Sequence, residues 1–460
     1  MSRILLKNVK EIVTMDRDRR RLKGFDLLIV GNRVAKLARN ITAAAEEIDA
    51  ADYYLYPGLI NTHHHFYQAL TRNIPAVQEM ELFGWLEFLY PIWSRLTPEA
   101  VYYSTLVAVG ELLKTGCTTA VDHFYVYPQG QPADLLDREF AAAARIGIRF
   151  HGCRGSMSLS KEEGGLPPAS VVQREEEILQ DSRRVIEKFH DSEPFAMQRV
   201  VLAPCSPFSV SFSLLKESLE LARDYGVQVH THLAETIDEE RFCLDTRGMR
   251  PLEYLAEAGW LGEDVWFAHG VHLHPEEIEY LARTGTGVAH CPISNQKLSS
   301  GVAPIPAMLK KGVPVGLAVD GSASNDASNM IAEMKTALLL HKLISGIASI
   351  NAEEVLSLAT NGGSSILSRP EIGSIEEGKA ADMFLLKSSR LDLAGGLNDP
   401  VLSLLNTGIS QAVDMTIVNG EIVVREGRLT RIDEERVISE ANRIAGQMLE
   451  EGVAGGVTRC

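Results

Sequence analysis

The chain has 460 residues, 45% of them hydrophobic, enough to bury one large catalytic core and a smaller companion unit. A formal net charge of -16 repels nucleic acid and anionic membrane, whereas a neutral or weakly charged small substrate meets no such barrier. No apolar run reaches transmembrane length, and Met1-Ser2-Arg3-Ile4-Leu5-Leu6-Lys7 is too interrupted by charge for a secretory signal, so a cytoplasmic protein is expected.

Taken in chain order, residues 1–57 carry short strand-like pieces punctuated by Asp16-Arg17-Asp18 and Gly31-Asn32, the pattern of a small antiparallel β unit. Eight apolar, β-branched runs follow, at 54–61, 118–122, 148–153, 199–203, 227–232, 265–269, 287–291 and 315–320. Stretches with apolar residues three and four apart separate them, as in 101–113, 135–145, 171–190, 214–225 and 331–343. This alternation predicts βα repeats closing into a (β/α)8 TIM-like barrel. Two long connections, 66–96 and 156–170, are expected to wall a pocket. Strand patterns return at 381–386 and 414–424, where Asn419-Gly420 is a strong hairpin turn. The expected organisation is a β-sandwich built from both termini (1–57 plus 372–435), a barrel over 58–371 and a helical tail over 436–460. Six cysteines without CxxC spacing argue against a disulfide framework or a cysteine zinc site.

The chemistry follows from where polar residues fall on those runs. His63-x-His65, His232 with Glu235 three residues on, His269 and Asp320 all stand at the C-terminal ends of strand candidates. Strand side chains alternate faces, so His63 and His65 point the same way, and barrel strand ends converge on one mouth. Three imidazoles and a carboxylate suit one divalent metal ion per chain, Zn²⁺ or less exclusively Fe²⁺, with a position left for water. His269 can be a further ligand or an acid/base group, and the residues alone leave both open. A single HxH is more often structural than metallic, and it is the matching groups at three other strand ends that change this. His230 lies one layer deeper and reads as a core histidine; His123, His151 and His290 divide between pocket and core, while His190, His272, His274 and His341 read as surface or capping residues. The run 199–205 supplies neither lysine nor carboxylate to bridge a second ion, which favours one metal.

The strings Pro57-Gly58-Leu59-Ile60-Asn61-Thr62-His63-His64-His65, His230-Thr231-His232-Leu233-Ala234-Glu235, Ala268-His269-Gly270, His290-Cys291-Pro292-Ile293-Ser294-Asn295 and Val319-Asp320-Gly321 resemble the amidohydrolase superfamily. Within it, the branch resembled is the aminohydrolases of purines, pterins and triazines. Further strings, among them His65-Phe66-Tyr67-Gln68, Glu81-Leu82-Phe83-Gly84-Trp85-Leu86, Arg154-Gly155-Ser156 and Ala203-Pro204-Cys205-Ser206-Pro207-Phe208, resemble bacterial 8-oxoguanine deaminases. Relatives often carry His in the strand-four motif where this chain has Cys205.

The resemblance implies a hydrolase of purine metabolism, acting on C–N bonds of cyclic amidines and converting 8-oxoguanine to uric acid and ammonia. Hydroxyatrazine-type, guanine or isoxanthopterin deamination are the alternatives, and a non-enzymatic scaffold is disfavoured because every expected metal position is filled. It further implies that His63, His65, His232 and Asp320 hold the metal, that His269 and Asp320 take the proton of an attacking water, and that Glu235 protonates the ring. Gln68, Trp85, Arg154 and Cys205 would surround the heterocycle. A homo-oligomer, dimer or higher, is implied as well.

Overall fold

The computed structural model describes residues 2–407 and 412–454. Cys460 lies outside the described residues. Eight parallel strands stand side by side: β1 (Leu59–Asn61), β2 (Cys117–Phe124), β3 (Arg149–Ser156), β4 (Gln198–Pro204), β5 (Gln228–Leu233), β6 (Val265–His269), β7 (Gly287–His290) and β8 (Val315–Leu317). The two edges meet. Thr62 donates to the Leu317 carbonyl from its backbone N–H (3.2 Å) and from Oγ1 (3.0 Å), and just beyond, Asp320–Gly321 pairs in parallel with His64–His65. Closure removes the open edges that a lone parallel sheet would expose.

The interior of the cylinder is filled by one face of each strand, including Ile60, Val121, Cys153, Val201, Ala203, Trp266 and Ala289. Helices wrap the outside and begin and end where their sequences dictate. Helix Phe212–Tyr225, for example, is capped by the Ser211 hydroxyl on the Leu214 N–H (3.0 Å) and stopped by Gly226 at φ +67°.

The first predicted strand divides in two. Tyr53–Pro57 pairs antiparallel with Met383–Lys387 in a different sheet, and only Leu59–Asn61 enters the barrel. The break is at Gly58, where a Cβ would sit 2.0 Å from Thr118 Oγ1, so the crossing point admits only glycine. The last predicted strand also divides, at Ala318–Val319 between Val315–Leu317 and Asp320–Gly321.

Both ends of the chain build a second layer pair. A four-stranded sheet runs in the order Arg33–Ala38, Phe25–Val30, Arg3–Val9, Glu46–Asp49, and a seven-stranded sheet combines strands from 11–57 with strands from 383–429. Leu6, Leu27, Ile29, Leu55, Leu385 and Ile417 fill the space between them. Asn419 and Gly420, at φ +51° and +79°, turn Met415–Val418 back into Glu421–Arg425 as the sequence predicts. No described helix is long and apolar enough to cross a membrane.

Candidate active site

At the C-terminal mouth of the barrel, four imidazoles are fixed in the same tautomer. His65 donates from Nδ1 to the His123 carbonyl (2.7 Å), His232 to the Cys205 carbonyl (2.6 Å), and His269 to Asn295 Oδ1 (2.9 Å). His63 takes a different route: its Nδ1 faces Nε2 of His230 at 2.7 Å, while Nδ1 of His230 faces the Trp266 carbonyl at 2.9 Å. Only a donor can face that carbonyl, so His230 must accept from His63. Every Nδ1 proton is thereby spent, and four Nε2 lone pairs are left pointing into the mouth.

Those lone pairs face further acceptors. Oδ1 of Asp320 lies 3.3 Å from His63 Nε2 and 3.4 Å from His65 Nε2, and His65 Nε2 lies 3.2 Å from His232 Nε2. Nε2 of His63 is buried with no hydrogen-bond partner. Acceptors at such distances repel unless a cation stands among them. Protonation does not supply it at His63, His65 or His232, because burial lowers their pKa values, those of His63 and His232 well below the ordinary imidazole value; His269 alone is raised. The arrangement fits a divalent metal ion.

The carboxylates are placed for different tasks. Burial alone would raise the Asp320 pKa, but the field of His269, whose own pKa is raised, holds it well below the usual carboxylate range. Its Oδ2 accepts from Ser294 Oγ (2.5 Å) and Ser324 Oγ (3.1 Å). Burial pushes Glu235 up to about 7, an effect that His269 opposes and Asp320 reinforces. Glu235 Oε2 lies 3.5 Å from Nε2 of His269, whose own pKa is raised because the charges of Glu235 and Asp320 outweigh burial. Asp320 (φ +60°), His269 (+74°) and Ala234 (+51°) all adopt left-handed backbone, which turns the strand ends inward. Such strain persists where surrounding structure holds it. At Ala234 the holder is Glu239, which accepts the backbone N–H groups of Ala234 (2.9 Å) and Glu235 (2.8 Å).

A narrow cleft, with a cavity volume of about 30 Å³, opens above this cluster. Gln68, Trp85 and Cys205 line it, with Leu82, Leu86, Tyr90, Tyr125 and Phe208. Gln68 Oε1 is held by the Ala323 N–H (3.3 Å) and packs so closely on Gly321 that a Cβ there would lie 1.9 Å away. The indole N–H of Trp85 and the hydroxyl of Tyr90 are buried without partners. Burial pushes the Cys205 thiol up to about 12, so it remains a neutral thiol.

Arg154 is not brought to this cleft. It follows Cys153, whose side chain faces the barrel interior, and therefore points outward, where it pairs with Asp181 (2.6 Å), bonds Gln173 (3.0 Å) and stacks on Tyr127. Sequence reasoning also missed the helix Leu82–Trp93 inside the long connection after β1. The 3/4 spacing of Leu82, Trp85, Leu86, Leu89 and Trp93 carried that signal. Asn295, Glu239 and the contact of His230 with His63 had no local signal. His341 is buried against Nε2 of His290 (3.0 Å) rather than on the surface, which corrects the capping reading.

Comparison with known proteins agrees with this architecture. The model of the family described as "Amidohydrolase family" matches residues 54–423. The chain is 45% identical to 8-oxoguanine deaminase of Pseudomonas aeruginosa, over 88% of this chain and 90% of that protein. It is 37% identical to hydroxydechloroatrazine ethylaminohydrolase of Pseudomonas sp. (strain ADP), over 96% and 95% of the two chains. Among solved structures, atrazine chlorohydrolase from Arthrobacter aurescens complexed with zinc superposes with a TM-score of 0.92 at 31% identity, covering 96% of this chain and all of that one. The chain belongs to the amidohydrolase family and is a hydrolase acting on carbon–nitrogen bonds.

Proposed function

We propose that this protein deaminates an oxo-purine by hydrolysis, converting 8-oxoguanine to uric acid and ammonia, with one zinc ion held by His63, His65, His232 and Asp320. The observation that carries the reading is the convergence of the Nε2 lone pairs of His63 and His65 on Asp320, with that of His232 against His65 and the protonatable Glu235 beside His269 at the edge of an aromatic cleft. When bound, the ion supplies Lewis-acid activation of a water molecule.

The protein's own groups then divide the proton traffic. His269, whose Nε2 is free because Nδ1 is engaged by Asn295, accepts a proton from the attacking water together with Asp320. Glu235, raised to about 7, donates to the ring nitrogen beside the amine-bearing carbon, which removes aromaticity there as the new C–O bond forms. Asp320 passes a proton to the amine, the C–N bond breaks and ammonia departs, while the adduct's hydroxyl returns its proton to Glu235 and becomes the carbonyl. Trp85 Nε1–H, the Tyr90 hydroxyl and the Gln68 amide offer hydrogen bonds to the oxo groups and ring nitrogens of a planar ligand. Cys205, smaller than the His found in many relatives, leaves room at the rim.

The 8-oxoguanine reading draws on the 45% identity to the Pseudomonas aeruginosa enzyme, and the 37% identity to the ethylaminohydrolase makes a hydroxytriazine the second candidate. Purified protein incubated with 8-oxoguanine, guanine, isoxanthopterin and hydroxyatrazine, with ammonia followed, is expected to favour 8-oxoguanine. Silence on every purine would remove the substrate while leaving the reaction class.

A further inference from the structure

The opposite end of the barrel, its N-terminal floor, gathers cations instead of lone pairs. Arg149, His151 and Arg199 share the inward face of β3 and β4 with Cys153 and Val201, and Arg369 enters from the segment that plugs the floor. Two of the three guanidiniums are matched. Arg149 is paired with Asp382 (2.9 and 3.2 Å), and Arg369 with Glu371 (2.5 Å). Arg199 is not: no carboxylate among the described residues lies within ion-pairing distance, and its one hydrogen bond is a long one from a terminal nitrogen to the Ser192 carbonyl (3.4 Å). Its Nε–H is buried without a partner.

His151 presents a second unspent donor. Nε2 of His151 faces a guanidinium nitrogen of Arg369 at 3.1 Å, and a guanidinium can only donate, so the imidazole proton resides on Nδ1. That Nδ1–H is buried and has no acceptor, in a residue only 1% exposed. Nearby, His190 accepts the Val200 backbone N–H at Nδ1 (3.1 Å), which leaves its own proton on Nε2. His151, His190 and Arg199 line one cavity of about 470 Å³. Two buried donors without acceptors, with half-buried His190 beside them along the same cavity, call for a shared acceptor.

We propose that this cavity binds a small, singly charged oxyanion, held by the Nδ1–H of His151, the Nε–H of Arg199 and the Nε2–H of His190. Two acceptor oxygens on one group match donors that approach from different strands, and the negative charge offsets the unmatched guanidinium. Desolvation pulls the Arg199 pKa below its ordinary value, opposed by the more distant charges of Glu371 and Asp191 and reinforced by Arg149. The rim sets the upper limit of charge. Glu263 and Asp264 also line the cavity, Asp264 engaged by Arg223 (2.8 Å), and together they disfavour a polyanion. The site stands at the far end of the barrel from the catalytic mouth and is independent of the substrate assigned there.

The test is the thermal midpoint of the full-length protein at about pH 6, where orthophosphate is chiefly the monoanion, with acetate or orthophosphate titrated into chloride at constant ionic strength. A saturable rise of about 2 °C or more is expected with at least one of them, and which one responds tells a carboxylate from a phosphate as the natural group. Arg199→Gln should raise the half-saturating concentration at least tenfold while leaving kcat for deamination unchanged. Arg199→Lys, which keeps the charge but loses Nε–H, should fall between the two and serves if the Gln variant does not fold. Absence of a saturable rise with either anion would overturn the proposal, leaving ordinary water as the partner of these donors. An equal rise in the Arg199→Gln protein would also overturn it, since the anion would then be acting elsewhere, the metal-binding mouth included.

Discussion

The two ends of the barrel are built from the same alternating strands and solve opposite electrostatic problems. At the mouth, backbone carbonyls, Asn295 and His230 absorb the imidazole protons, so lone pairs converge and a cation is required. At the floor, Arg369 occupies the lone pair of His151 and Val200 occupies that of His190, so the remaining ring nitrogens carry protons, the arrangement on which the proposed anion site rests. The lesson is that a buried histidine's role is set by the partner of its other nitrogen, more than by the side chain itself.

The contrast can be broken most forcefully at Glu235. Glu235→Gln should lower kcat about 10³-fold with bound metal unchanged by elemental analysis, as expected for loss of a general acid. Substantial turnover would place the proton donor elsewhere. At the floor, by comparison, Arg149→Met strands the Asp382 carboxylate in the interior. It should cost about 3–5 kcal/mol in urea unfolding with no change in kcat of the folded protein. A rate loss there would mean that the two ends are coupled.

His230→Phe removes the acceptor for His63 Nδ1–H and should weaken metal affinity about 10- to 100-fold in chelator competition, although His230 is not among the proposed ligands. Unchanged affinity would show that the His63 tautomer needs no such anchor. The pH profile sharpens the same point. Glu235 must be protonated to donate, burial holds its pKa near 7, and deprotonation above that value removes the acid. The rate kcat/KM should therefore fall about tenfold per unit above pH 7, and a flat profile to pH 9 would exclude Glu235 as the acid. The smallest effect is expected for Trp85→Phe, which keeps the aromatic surface but loses the unpartnered N–H. KM should rise about fivefold, equivalent to one ordinary hydrogen bond.

Much of the barrel was legible because each strand is a short apolar run and each chemical group closes one. His63, His65, His232, His269 and Asp320 could be grouped from position alone. The failures came where side-chain direction or distant partners decide. Arg154 was assigned to the pocket although its neighbour Cys153 has the inward parity, so the alternation rule applied to β3 would have excluded it. The run 54–61 read as one strand because apolar character is continuous across Pro57-Gly58, while the division depends on a contact with Thr118 that no local pattern carries. The partners that fix the tautomers, such as Trp266 for His230 and Asn295 for His269, are far away in sequence and meet only in the closed cylinder.

The crossing at Gly58 has a consequence for how the enzyme is made. Immediately upstream of the segment bearing His63 and His65, Tyr53–Pro57 docks on Met383–Lys387, and the Tyr56 hydroxyl reaches the Pro400 carbonyl 344 residues along the chain. During synthesis, His63 and His65 therefore wait, unanchored on one side, until nearly the whole polypeptide has emerged. A nascent chain halted at Asn325 would carry every group of the mouth yet lack the late strand on which the segment just before the first of them docks.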